Sequence, residues 1–96
     1  MNKIVKVQGK LELAYVLKLN ILNVMWIPGR QYALKYKRED EVCRTYYPDF
    51  FLPETREFIE IKGFFRECDK EKMKLVIEQN NDRVIKILFQ NDIMEL

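Results

Sequence analysis

The strongest constraint on the fold is a strand, helix and strand pattern in the second half of the chain. Residues 58–62 alternate apolar and charged side chains, as a half-buried strand does. Residues 67–79 place apolar side chains at helical spacing, which predicts an amphipathic helix. Residues 83–89 form a nearly continuous apolar run, which predicts a buried strand. This order predicts two parallel strands joined by a crossover helix.

The first half of the chain predicts one helix and two strands. Residues 11–24 hold only two charged side chains and wrap apolar groups around much of a helical cylinder, which indicates a core helix. Residues 30–37 alternate as a strand, and residues 42–52 are rich in aromatic and β-branched side chains. Because Pro48 removes a ladder hydrogen bond, we expect an edge or a bulge there.

The predicted element order is therefore αβββαβ. It indicates an α/β (α+β) fold in which a mixed four-stranded sheet is flanked by helices. The 96 residues, of which 48% are hydrophobic and 33% charged, exclude a disordered chain and predict a single domain over residues 1–96. No apolar run approaches the roughly 18 residues of a membrane span, and the N-terminus lacks a signal-peptide pattern. We expect a soluble, cytoplasmic protein without a membrane partner.

The chain contains no histidine, which excludes several classes of enzyme. Histidine-ligated zinc hydrolases, His-metal nucleases, Cys-His proteases and serine triads all need an imidazole. Two cysteines, Cys43 and Cys68, cannot close a four-ligand zinc site, and we expect them to be unpaired and partly buried. The remaining carboxylates, lysines, arginines and tyrosines suit Mg²⁺-dependent phosphodiester chemistry, since hard cations prefer oxygen ligands.

Charge is divided unevenly along the chain. Residues 1–48 carry 9 basic and 4 acidic side chains, whereas residues 49–96 carry 8 and 11. A basic half beside an acidic half suits a groove whose acids hold a metal and whose walls hold phosphate. An ordinary solvated surface explains the same charges equally well.

Three charged residues form the most informative constellation. Side-chain alternation places Glu60 and Lys62 on one strand face, and a hairpin at residues 53–56 brings Asp49 beside Glu60. Two converging carboxylates repel each other unless a cation lies between them, so the pair indicates a metal site. Glu12 adds a third acid, because its helical neighbours are apolar and direct it toward the sheet. The alternatives are a solvated Glu-Lys strand pair and a Glu12 that favours its helix N-terminus.

These residues resemble a known family of nucleases. Pro48-Asp49, the step of eleven residues to Glu60, and Glu60-Ile61-Lys62 resemble the PD-(D/E)XK nuclease superfamily over most of the chain. The flanking Tyr47, Phe50, Leu52, Pro53 and Gly63 are similar to the phage junction-resolving endonuclease I branch and related small phage or homing nucleases. The resemblance implies a restriction-endonuclease-like αβββαβ core and a phage protein acting inside a host cell.

The resemblance also implies an activity with defined roles. Mg²⁺ or Mn²⁺ would be coordinated by Asp49, Glu60 and the backbone carbonyl of Ile61. Lys62 would assist the attacking water. Glu12 would support the metal, either directly or through a bridging water. The substrate would be DNA, either branched or a specific duplex site. Two alternatives stay open: a catalytically silent nuclease fold that binds nucleic acid or protein, and a small interaction protein unrelated to nucleic acid.

The sequence also offers candidate residues for contact with DNA and a candidate surface for self-association. Basic candidates for contact with DNA phosphates are Lys35, Lys37, Arg44, Lys70 and Lys74; on the predicted helix 70 and 74 are neighbours, and 72 lies opposite. The helix at residues 11–24 exposes more apolar surface than one small sheet covers, which favours a homodimer. The alternative is a monomer in which residues 4–7 and 93–96 fold over that helix.

Overall fold

The computed structural model describes residues 9–96, which form three α-helices, one short 3₁₀ helix at Gly29–Gln31 and six strands. The helices are α1 (Lys10–Ile21), α2 (Glu67–Gln79) and α3 (Gln90–Met94). The strands are β1 (Ile27–Pro28), β2 (Leu34–Lys37), β3 (Cys43–Tyr46), β4 (Phe50–Leu52), β5 (Glu57–Ile61) and β6 (Val84–Leu88).

The central sheet has four strands in the order β1, β4, β5, β6. Strands β4 and β5 form an antiparallel hairpin, with Phe50 opposite Ile59 and Phe51 opposite Phe58. Strands β5 and β6 are parallel, and α2 makes the crossover between them. The structure therefore confirms a mixed four-stranded sheet flanked by helices. Its first member is β1 rather than the strand predicted over residues 30–37, of which only residues 34–37 form a strand, β2, outside this sheet.

The predicted second strand is divided between two sheets. The sequence indicated one strand over residues 42–52, but β3 ends at Tyr46 and β4 begins at Phe50. Strand β3 pairs with β2 in a separate two-stranded ribbon, whereas β4 joins the central sheet. Pro48 lies in the break between them, where the missing N–H removes no ladder bond. The chain thus changes sheets immediately before Asp49.

Apolar side chains form a core on each face of the central sheet. On one face, α1 and α3 pack their buried residues Tyr15, Leu19 and Ile93 against Ile59 and Ile61 of β5. On the other face, α2 and the ribbon pack against β5; the buried members of this second core are Leu34, Tyr36, Tyr46, Phe58, Met73 and Val76. Strand β5 is therefore covered on both sides, which holds its side chains rigidly.

Three expectations about the ends and surfaces of elements are wrong. Helix α1 ends at Ile21 rather than residue 24, because Asn23 adopts a left-handed φ of 58° that ends helical hydrogen bonding. Strand β6 is half-exposed rather than buried, since it lies at the edge of the sheet and Val84 is 50% exposed. Both cysteines are exposed rather than partly buried, because Cys43 faces outward from the ribbon and Cys68 lies on the first turn of α2.

Helix α1 keeps an exposed apolar stripe despite packing on the sheet. The chain end contributes α3, whose Ile93 is fully buried against the core that α1 helps to form. Leu13, Leu17 and Ile21 nevertheless remain exposed on the outer side of α1. The predicted covering segment at residues 4–7 lies outside the described residues. Within residues 9–96, no helix is long and apolar enough to cross a membrane.

Candidate active site

Asp49 is positioned by a close approach of two backbone segments. The N–H of Asp49 donates to the carbonyl of Ile59 (3.0 Å), which extends the β4–β5 pairing by one residue and places Asp49 beside Glu60. The N–H of Gly29 donates to the Asp49 carbonyl (2.9 Å), and a Cβ at position 29 would lie 2.1 Å from the carbonyl oxygen of Pro48. Only glycine permits this approach, so Gly29 helps to fix the Asp49 backbone.

Glu60 is a buried carboxylate whose two oxygens have different partners. Its residue is 8% exposed, and the hydroxyl of Tyr46 donates to Oε1 across 2.5 Å. Nζ of Lys62 lies 3.3 Å from Oε2. Lys62 also lies 4.0 Å from an oxygen of Asp69 on α2. The predicted shared strand face of Glu60 and Lys62 is therefore confirmed, and both charges are held by neighbours.

The environment of Asp49 favours its protonated form. Burial, followed by the negative charge of Glu60, raises the pKa of Asp49 from 3.8 to about 7. The charge of Glu12 acts in the same direction. The Ile61 N–H, which donates to Asp49 Oδ2 across 2.8 Å, and the charge of Lys62 oppose this shift. Burial and the two neighbouring carboxylates together outweigh the Ile61 N–H and the charge of Lys62.

Glu12 reaches this site from the first turn of α1. Leu11 lies beside the residue that follows Lys62, because a Cβ at Gly63 would be 3.4 Å from Leu11 Cδ1. The start of α1 therefore meets the end of β5, where its half-buried Glu12 adds to the charge felt by Asp49. The four charged residues that the sequence singled out are brought to one end of β5.

The donor set at this end of β5 fits a magnesium ion that completes its shell with water and phosphate. Asp49, immediately before β4, and Glu60 of β5 supply two carboxylates. Across residues 9–96, no group of three or more acidic or cysteine side chains lies close enough to hold a metal. Mg²⁺ commonly uses only one or two carboxylates and keeps several waters, so two carboxylates satisfy its requirement. A cation there would also offset the charge of Glu60, which after burial is the second cause of the raised pKa of Asp49.

Tyr46, which the sequence did not single out for the site, bonds Glu60, and Lys72 contacts its ring. Tyr46 is 3% exposed and donates to Glu60, while Nζ of Lys72 lies 5.4 Å from the centre of its ring. Burial, followed by the charge of Glu60, raises the pKa of the Tyr46 hydroxyl, which keeps it a proton donor. The sequence could have indicated Lys72, because helical spacing places it on the same face of α2 as Val76, four residues later, and Asp69, three residues earlier.

The predicted basic DNA contacts are dispersed over the surface. Lys35 and Lys37 point outward from β2, and Lys35 donates to Thr45 (2.6 Å). Arg44 pairs with Asp40 (2.7 Å), which lowers the pKa of that carboxyl. On α2, Lys70 pairs with Glu67 (3.2 Å), and Lys74 lines a different cleft beside Arg38 and Glu78. Of the α2 lysines, Lys72 rather than Lys70 or Lys74 contacts the residue bonded to Glu60.

Comparisons with known proteins add no assignment to this geometry. No family model, curated protein or solved structure matches the chain.

Proposed function

We propose that this protein is a divalent-metal-dependent DNA endonuclease built on a restriction-endonuclease-like core. The observation that carries the proposal is the arrangement of Asp49, immediately before β4, beside Glu60 of β5, with Lys62 Nζ 3.3 Å from Glu60. Glu12 acts on Asp49 from a third element. The resemblance of these residues to the PD-(D/E)XK superfamily supports the same interpretation.

In this proposal, Asp49, Glu60 and the Ile61 carbonyl hold Mg²⁺ or Mn²⁺. When bound, such an ion lowers the pKa of water and neutralises charge on the scissile phosphate. Lys62 places a positive charge beside Glu60, where it orients the attacking water or stabilises charge on phosphate oxygens. Tyr46 holds Glu60 in one orientation through its hydroxyl. Glu12 is not grouped with these two carboxylates closely enough to be a third direct ligand, so it would support the metal through a water.

The proposed substrate is branched or structured DNA, with a specific duplex site second, because the resemblance extends to junction-resolving nucleases. One site cuts one strand at each encounter, so paired incisions need two copies of the chain. The exposed α1 stripe of Leu13, Leu17 and Ile21 supports a homodimer as the source of the second copy. Sedimentation equilibrium with and without DNA tests this, and a monomer mass in both conditions contradicts the dimer.

The deciding experiment is relaxation of supercoiled plasmid and cleavage of a four-way junction, with Mg²⁺, Mn²⁺ or EDTA. We expect metal-dependent nicking that EDTA stops. Asp49→Asn and Glu60→Gln should lose at least about 100-fold in rate, in line with the removal of an electrostatic catalytic group. Glu78→Gln, which changes an exposed acid on α2, is the matched control and should retain full activity. Inactivity of the wild-type protein on duplex, branched and single-stranded DNA with both metals would refute the proposal.

A catalytically silent binding module is the second candidate, and one observation favours it. Both Glu60 oxygens already have partners, Tyr46 on one and Lys62 on the other, which stabilises this carboxylate without a metal. Metal-independent DNA binding without cleavage, unchanged in Glu60→Gln, would select this candidate over the endonuclease.

A further inference from the structure

A cleft separate from the candidate active site lies at the opposite end of β5 from Lys62. It encloses about 730 Å³ beside the β4–β5 turn and the start of β6. Its lining residues are Tyr32, Phe51, Pro53, Thr55, Arg56, Phe58, Asp82, Arg83 and Val84. None of the residues placed in the candidate active site lines this cleft, so it is a separate feature of the molecule.

The floor of the cleft is a cluster of three aromatic rings. Tyr32 and Phe51 have ring centres 4.6 Å apart, and Phe51 and Phe58 have centres 4.8 Å apart. Phe58 is buried, whereas Tyr32 and Phe51 are only partly buried. Flat aromatic surface therefore reaches the cleft on a rigid support, which is the feature that proteins use to stack an unpaired nucleobase.

Two arginines flank these rings. The guanidinium carbon of Arg83 lies 5.6 Å from the ring centre of Phe58. Arg56 lies in the β4–β5 turn, where its N–H donates to the Leu52 carbonyl (2.7 Å) and its φ is 61°. Among residues 9–96, neither guanidinium forms an ion pair. Both can therefore accept a phosphate without first breaking a bond to a carboxylate.

The φ of Arg56 adds a second reason to assign it a role. A left-handed φ is disfavoured for residues with a Cβ, and glycine adopts it with little cost. An arginine at this position keeps a positive charge at the cleft despite that conformational penalty. The charged lining residues are Arg56, Arg83 and the single acid Asp82, so the cleft carries a net positive charge.

We propose that this cleft binds one nucleotide of an unpaired DNA strand. The base stacks on Tyr32 and Phe51, and Arg56 and Arg83 hold the adjacent phosphates. The choice of DNA rests on the proposed function, but the inference goes beyond the endonuclease activity, because it requires neither a metal nor cleavage. It also assigns a single-strand contact that duplex DNA cannot satisfy, since paired bases stay stacked on each other.

The test is fluorescence anisotropy with a labelled twelve-residue oligothymidylate in EDTA, compared with an abasic strand of the same length. We expect wild-type protein to bind the oligothymidylate at least about 5-fold more tightly than the abasic strand, the lower end of stacking on an aromatic side chain. Tyr32→Leu keeps an apolar side chain but removes the ring, so it should remove this difference.

Arg56→Gly separates binding from folding. Glycine relieves the left-handed φ, so the variant should be at least as stable as wild type while losing the guanidinium. We expect this variant to bind both oligonucleotides more weakly. The slope of log K against log salt concentration should be smaller in magnitude by about 0.7, because one phosphate contact with a single strand is lost. Arg38→Gly, which removes an arginine lining a different cleft, is the matched control and should change binding less than 2-fold.

Two results would overturn the proposal. Equal affinity of the wild-type protein for oligothymidylate and the abasic strand would show that no base stacks in the cleft. Equal weakening by Arg56→Gly and Arg38→Gly would show that the arginines contribute only general surface charge. Neither result depends on cleavage, so the endonuclease proposal stands or fails separately.

Discussion

Substitution of Asp49 by asparagine should stabilise the metal-free protein at high pH. The pKa of Asp49 is raised from 3.8 to about 7, so the folded state binds a proton between these values that the unfolded state has released. Stability therefore falls as pH rises through this window, and the full cost is present above pH 7. Below about pH 4 the carboxyl is protonated in both states, and the cost vanishes.

The size of the effect follows from the same values. A pKa change from 3.8 to about 7 corresponds to about 4 kcal/mol, and we take roughly half of this because the side chain keeps partial contact with solvent. Asparagine is neutral at every pH, and its Oδ1 can still accept the Ile61 N–H that now donates to Asp49. We expect Asp49→Asn to gain about 2 kcal/mol at pH 8 and little at pH 4.

The assay is urea denaturation in EDTA at several pH values between 4 and 8. Fluorescence of Trp26 reports folding, because this indole packs edge-on against Phe50 with ring centres 5.5 Å apart. The difference in stability between the two proteins at each pH isolates the contribution of residue 49. Equal m-values are required, since a change in m would indicate an altered unfolded or native state. A difference that does not grow from pH 4 to pH 8, or an Asn variant less stable at pH 8, would refute the assigned electrostatics.

Three further substitutions, two of them with a matched control, test the packing that holds the site. Gly29→Ala should lower the free energy of unfolding by more than about 3 kcal/mol or prevent folding, because the new Cβ would lie 2.1 Å from the Pro48 carbonyl oxygen. Gly63→Ala is the control and should cost less than about 1 kcal/mol, because its Cβ would lie 3.4 Å from the nearest atom. Thermal unfolding measures both variants. Tyr46→Phe should cost about 1–3 kcal/mol in urea, since buried Glu60 loses a donor, and an unchanged midpoint would contradict that bond. Ile93→Ala should lower stability by about 2–5 kcal/mol, because Ile93 is fully buried, whereas Met94→Ala should cost less than about 0.5 kcal/mol, because Met94 is 52% exposed. Calorimetry measures both, and similar costs would contradict the docking of α3.

Local patterns in the sequence determined those helices and strands whose structure depends mainly on residues close to them along the chain. The apolar spacing of residues 67–79 predicted α2 with the bounds that the structure shows, and the alternation at residues 58–62 predicted β5 within one residue. The same alternation placed Glu60 and Lys62 on one face. A short hairpin connection was enough to predict that Asp49 lies beside Glu60, because two antiparallel strands joined by a tight turn have few possible registers.

The tertiary structure decided everything that depends on which distant segments meet. No local pattern shows that the chain leaves the ribbon at Pro48, because a strand of either sheet has the same alternation. The bond from Tyr46 to Glu60 needs the ribbon to pack over β5, and the role of Gly29 needs β1 to meet β4. The composition of β6 predicts a buried strand, but β6 lies at an edge of the sheet and is half-exposed. Burial depends on how many neighbouring elements cover a strand rather than on the strand's own apolar residues.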